Sequence, residues 1–190
     1  GLLDILEEVH CGKIQLPDFQ RGWIWDDDRI KGIIASVAKS FPIGAIMLLE
    51  TGNETVRFKT KPIEGVKLND EVKPDLLILD GQQRITSLYQ TIMTNEVVTT
   101  RNEKNYEIKR WYYIDMKKAM DDSHDLEEAI TSINEKKQIT EDFGRRIILD
   151  LSKKEYEFEN LMYPLSMIRD YSVWRREFNE YWQYDREKSI

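Results

Sequence analysis

Residues 80–84 read Asp-Gly-Gln-Gln-Arg and follow directly on the apolar run Leu76–Leu79. Their types suit the handling of an anion. Arg84 offers a planar charged fork that can hold two phosphate oxygens at once. Asp80, at the carboxyl end of a strand, could hold Mg²⁺ through oxygen or orient a water. Gln82 and Gln83 both donate and accept, as positioning a water or reading a ligand edge requires. Gly81 lets the backbone come close. If a helix begins here, its unpaired N–H groups and the positive end of its dipole also favour an anion. A plainer account fits the same residues: an Asp-capped helix whose arginine pairs with a nearby carboxylate.

A second Gln-Arg pair, Gln20-Arg21, lies in "LPDFQRGWIW". Two arginines in one small acidic chain suggest convergence on a polyanion. Phe19, Trp23 and Trp25 flank the pair, and packing is the plainer use for them, with stacking on a base the alternative. Asp18 beside them is a further metal-ligand candidate, although a loop aspartate is usually a solvated cap. In "FPIGAI", Pro42 and Gly44 fix a turn, and Gly44 could admit a ligand or simply stop a helix. No GxxxxGK[ST] occurs, which excludes a P-loop. Cys11 is the only cysteine, and His10 and His124 are the only histidines, so disulfide frameworks, thiol metal clusters and Ser-His-Asp triads are hard to assemble.

The elements that must carry these residues are legible from periodicity. Residues 2–10 predict a short amphipathic helix closed by Gly12. Pro17 limits the strand around "KIQLP" to an edge position. Asp26 caps a helix whose buried face is Ile30, Ile33, Ile34, Val37, Ala38 and Phe41. "AIMLLE" reads as a buried strand, residues 51–74 as a polar hairpin with loops, and "DLLILD" as the central strand. Ile85, Leu88, Tyr89, Ile92 and Met93 mark the face of the helix that follows, and "YEIKRWYYID" is another strand. Residues 117–145 are charged and weakly periodic, predicting one exposed helix in the most mobile part of the chain. "YPLSMIRD" reads as an apolar turn. Tyr171, Trp174, Phe178, Tyr181 and Trp182 form an aromatic stripe suited to core packing or to docking against further sequence.

Length and composition bound the rest. The 190 residues fit a single domain over 1–190 with a real core, and 41% hydrophobic content argues against disorder. The net charge of −7 is evenly spread: residues 1–95 carry 11 basic and 14 acidic side chains, the remainder 17 and 21. Such a chain shows no basic footprint for sequence-independent DNA binding. No apolar run approaches the roughly 20 residues of a membrane helix, and no signal peptide is visible, so a cytoplasmic setting is expected. The start without methionine and the charged helical end read as a piece of a longer protein.

Together, "LPDFQRGWIW", "SFPIGAIMLLE" and "LILDGQQRITSLYQ" resemble the N-terminal domain of the GmrSD family, modification-dependent restriction systems of bacterial defence against phage. "WYYIDMKK" and "YPLSMIRD" extend the resemblance from about residue 2 to residue 170. The resemblance implies a ParB/sulfiredoxin-like fold of the α/β (α+β) class, a small mixed sheet with packed helices. It implies an NTP-binding and hydrolysing domain, with Mg²⁺, coupled to an HNH-type nuclease domain or subunit that reaches DNA in the full-length protein. On that reading Asp80, Gln82, Gln83 and Arg84 are the catalytic candidates, and Asp80 the metal ligand. Gln20, Arg21, Gly44, Gly81 and Thr86 would hold the nucleotide, and a homo-oligomer stays open. Two alternatives stand beside it: a module that senses a nucleotide or a modified base without hydrolysis, and a ParB-like DNA nuclease.

Overall fold

In the computed structural model, which describes residues 1–52, 58–185 and 187, the site-bearing segments meet on a small mixed sheet. Its strands are β1 (Ile14–Pro17), β2 (Met47–Glu50), β3 (Thr60–Lys61) and β4 (Leu76–Asp80), in the order β2-β4-β1-β3. β1 runs parallel to β4, while β2 and β3 are antiparallel to their neighbours. The carboxyl ends of β1 and β4 therefore point the same way, and the segments leaving them emerge side by side.

Three helices pack around this sheet. α1 (Leu2–His10) buries Leu6 and Val9, and α3 (Gln82–Ile92) buries Ile85, Leu88, Tyr89 and Ile92. Both faces join one cluster with Ile14, Leu16 and Ile78 of the sheet. Fully burying each such aliphatic side chain stabilises by about 1.5–3 kcal/mol. α2 (Asp27–Ala38) starts at Asp26, whose carboxylate accepts from Arg29 N at 2.9 Å, as its sequence position predicts. Its buried Ile30, Ile34 and Ala35 face a second cluster rather than the first sheet.

That second cluster lies against an antiparallel sheet of β5 (Val98–Arg101), β6 (Glu107–Asp115), β7 (Ile130–Asn134) and β10 (Met162–Pro164), with β6 central. Two short helices, α4 (Met116–Met120) and α5 (Leu126–Ala129), link β6 to β7. β8 (Gln138–Glu141) and β9 (Arg146–Asp150) make a separate hairpin. α6 (Lys154–Glu159) and α7 (Tyr171–Tyr181) close the chain around Phe158, Trp174 and Phe178. With helices and mixed small sheets, the fold class is α+β.

Several expectations are corrected. β1 is interior, not an edge: Pro17 is tolerated because the pairs with β4 involve Ile14 and Gln15, leaving Pro17 past that ladder. "AIMLLE" is an edge strand instead, with Met47 58% exposed. α2 ends at Ala38, so Ala38 and Phe41 are exposed, Phe41 lying beyond the helix. Of the predicted 51–74 hairpin, residues 53–57 lie outside the described residues, and β3 pairs with β1 rather than with a neighbour in sequence. Residues 117–145 do hold exposed helix, in α4, but also α5, β7 and β8, and the segment is partly packed: Ile130 of β7 is buried in the cluster with Ile30 and Ile34, and Ile133 in one with Tyr113 and Leu151.

Candidate functional site

α3 begins immediately after β4, and the turn between them is a glycine for a physical reason. Gly81 takes φ +96°, in the left-handed region that side chains avoid, and a Cβ there would lie 3.2 Å from Ile46. No side chain caps the helix, so Gly81 is the N-cap and the expected aspartate cap is absent. The first-turn N–H groups of α3 thus open onto the space past the sheet.

The two glutamines shape that space by holding the segment that leaves β1. Gln82, only 5% exposed, donates from Nε2 to Arg21 O at 2.6 Å. Gln83 accepts from Ile24 N at 2.9 Å and donates to Gly22 O at 3.1 Å. From the other side, Gln20 donates to Leu79 O at 2.9 Å, next to Asp80. Lys61 Nζ donates to Gln20 O at 2.6 Å, and Trp23 donates from its indole to Ser87 Oγ at 2.9 Å. The segment 20–24 is thereby laced to α3, β4 and β3. The contacts to β4 and α3 cross about 60 residues of sequence, and that to β3 crosses 41.

Arg84 is used inward. Its guanidinium donates to Ile43 O at 2.5 Å and to Ala45 O at 2.8 Å, and it pairs with Asp80 at 3.0 Å. The plain account of this arginine, a partner carboxylate nearby, is therefore met within the motif itself. Gly44, at φ +89°, lies between the two accepting carbonyls, and a Cβ on it would overlap Arg84 Nη1. The glycine makes room for the arginine rather than standing in the cleft wall.

What remains is an open cleft of about 260 Å³ lined by Gln20, Arg21, Trp25, Leu79, Asp80, Gly81, Gln82, Gln83 and Arg84. Seven of the nine predicted site residues therefore meet. Gly44 stands behind Arg84, and Thr86 is fully buried in α3 with its hydroxyl unpaired among the described residues. Trp25 and Leu79 are lining residues that sequence reasoning did not assign to the site. Trp25 packs against both main clusters as well, so its aromatic signal reads as core. Arg21 is exposed, and its guanidinium makes no hydrogen bond or ion pair among the described residues. Asp80, 71% exposed, is the one acidic residue of the lining.

Among the described residues no group of three His, Cys, Asp or Glu is arranged to hold a metal. Mg²⁺ does not need one: it binds through one or two carboxylates completed by substrate phosphates and water. A single Asp80 beside an anion-attracting helix end fits that pattern. Asp18 is exposed and outside the lining. His10 Nδ1 lies 2.8 Å from Tyr89 Oη. Ser123, His124 and Asp121 meet in one exposed turn, but both contacts fall on the same ring nitrogen, Nδ1. That arrangement cannot relay a proton across the ring, as a hydrolytic triad must.

A family model described as GmrSD restriction endonuclease, N-terminal domain, matches residues 2–187. An uncharacterized protein of Methanocaldococcus jannaschii is 31% identical over 190 residues, covering 95% of this chain. The chain spans 31% of that relative's length.

Proposed function

The chain belongs to the family of the GmrSD restriction endonuclease N-terminal domain, and on that premise we propose that its cleft binds and hydrolyses a nucleoside triphosphate to regulate a modification-dependent DNA restriction system. The observation that carries the reading is the guanidinium of Arg21, unpaired among the described residues, in the same cleft as the uncapped N-terminus of α3 and the carboxylate of Asp80. Cation, helix N–H groups and carboxylate are the parts a Mg²⁺-triphosphate needs.

In this reading the α3 N–H groups and Arg21 hold the phosphates, and Asp80 holds the metal ion. Bound Mg²⁺ would withdraw charge from the phosphoryl oxygens. Gln82 and Gln83 fix the backbone of residues 21–24 and so place Arg21. Arg84 is a positioning residue that braces the 43–45 turn against α3. Phosphoryl transfer asks chiefly for positioning and charge stabilisation, which such a set supplies. DNA cleavage is assigned to an HNH-type nuclease domain or subunit, with DNA reached through the full-length protein. A cytoplasmic setting belongs to the same proposal; among the described residues no helix is long and apolar enough to cross a membrane.

One observation favours a second reading, a nucleotide sensor without hydrolysis. Gln83 and Arg84 already spend their hydrogen bonds on the protein, leaving few groups to activate water. The test is thermal stabilisation by ATP, GTP, CTP and UTP with Mg²⁺, followed by phosphate release, for the native chain and Arg21→Ala. Saturation at 100 times the dissociation constant adds about 2.7 kcal/mol. Stabilisation cut to about 1 kcal/mol in Arg21→Ala at the same concentration, with phosphate released by the native chain, is the expected result. Stabilisation without release selects the sensor, and no stabilisation by any nucleotide removes the nucleotide reading.

A further inference from the structure

Two phenylalanines stand exposed at the end of the sheet that carries the cleft. Phe19 is 63% exposed and Phe58 38%, and neither belongs to a hydrophobic cluster among the described residues. They touch each other edge to face, ring centroids 5.3 Å apart and planes at 65°. Their meeting follows from the strand register. Pro17 of β1 lies opposite Thr60 of β3, and Asp18 N donates to Lys59 O at 2.9 Å. Phe19, two residues after Pro17, and Phe58, two before Thr60, therefore project from the same end of the antiparallel pair. The parallel partner β4 ends at that same edge with Asp80.

A lone exposed apolar side chain needs no explanation. A paired one, next in sequence to Gln20 and the unpaired Arg21 of the cleft, carries more. The edge-to-face contact fixes the rings while leaving ring surface in solvent, which suits a flat aromatic ligand better than a packing role. The charge next to it fixes what that ligand is joined to: an anion bound by Arg21 and the α3 terminus.

We infer that Phe19 and Phe58 form a stacking platform for the base of a mononucleotide whose phosphates occupy the cleft, an inference that rests on the nucleotide reading above. Stacking discriminates little by hydrogen bonding, since every base has a π face, and larger purines offer more of it. The platform therefore predicts broad base tolerance with a preference for purines.

The experiment is calorimetric titration of the chain with Mg²⁺-tripolyphosphate, Mg²⁺-GTP and Mg²⁺-UTP, repeated with Phe19→Ala, Phe58→Ala and Phe19→Trp. The native chain is expected to bind GTP more tightly than UTP, and both more tightly than tripolyphosphate. Phe19→Ala should weaken GTP about 10-fold, within the range that a stacked base contributes, with tripolyphosphate unchanged. Phe58→Ala should weaken GTP less, and Phe19→Trp should preserve it. Because both rings are exposed, the variants should melt with the native chain. GTP and tripolyphosphate binding alike, or a Phe19→Ala chain that keeps its GTP affinity, overturns the platform while the cleft stands. Failure of all three ligands overturns the cleft reading, and the platform with it. Binding of a single-stranded oligonucleotide that depends on Phe19 while GTP binding does not also overturns it, assigning the rings to DNA.

Discussion

Gln20-Arg21 and Gln83-Arg84 present the same two side chains in the same order to one cleft, yet the fold uses them in opposite ways. Arg84 is 18% exposed and ties down two carbonyls and a carboxylate. Arg21 is held only by its backbone, through Gln82, and its charge stays in solvent. A guanidinium that already satisfies two backbone carbonyls and a carboxylate gains little from a phosphate, because binding would first break those bonds. One that is unpaired loses only hydration. The difference teaches that a charged residue in a motif can be there to hold the site together, while its neighbour across the cleft is left facing the open space.

Removing the inward arginine should have the largest effect. Arg84→Ala leaves Ile43 O and Ala45 O without their charged donor and is expected to cost about 3 kcal/mol of stability, measured by urea unfolding. Gly44→Ala should approach it, at about 2 kcal/mol, because the added Cβ displaces the same guanidinium and the backbone has φ +89°. If either variant unfolds like the native chain, the bracing role is wrong.

Arg21→Ala should do the reverse, with stability within about 0.5 kcal/mol of native. Its triphosphate affinity should fall by about 2 kcal/mol, the worth of a hydrogen bond to a charged group. Measured together, Arg21→Ala and Arg84→Ala separate the two roles; equal loss of stability in both would erase the contrast.

A smaller effect tests whether the second sheet is independent of the cleft. Glu157 is 5% exposed, accepts from Tyr113 Oη at 3.0 Å and lies 3.7 Å from Lys137 Nζ. Burial pushes its carboxyl above the ordinary 4.5, against the pull of Lys137 and Lys154. A raised carboxylate binds its proton more readily in the folded chain. Its contribution is therefore complete below pH 4.5 and is lost as pH rises through the folded value. Glu157→Gln should flatten that part of the pH–stability curve while leaving nucleotide affinity at the cleft unchanged. A shift in affinity would show the two sheets to be coupled.

Much of the frame was legible in advance. The faces of α1 and α3 appear in the chain as apolar residues at steps of three and four, and the Asp26 cap declares itself one residue before α2. The strand–turn–helix at residues 76–92 was readable because a buried run, a glycine and a periodic helix follow in succession. Less was readable where the pattern is weak. β7 carries only Ile130 and Ile133, three apart rather than alternating, inside a charged stretch, and tertiary packing buries them. β2 looked interior because its residues are apolar, but strand order, not composition, made it an edge.

By itself, the sequence determined that Asp80, Gly81, Gln82, Gln83 and Arg84 stand at a strand-to-helix turn, since local propensity and periodicity act over a few residues. Tertiary structure alone decided which arginine is tied inward and which faces the open cleft. Arg84 finds its partners at the carbonyls of Ile43 and Ala45, about 40 residues away in the chain. Every residue carries such a carbonyl, so the acceptor leaves no mark in side-chain identity. Only the folded backbone brings it within reach.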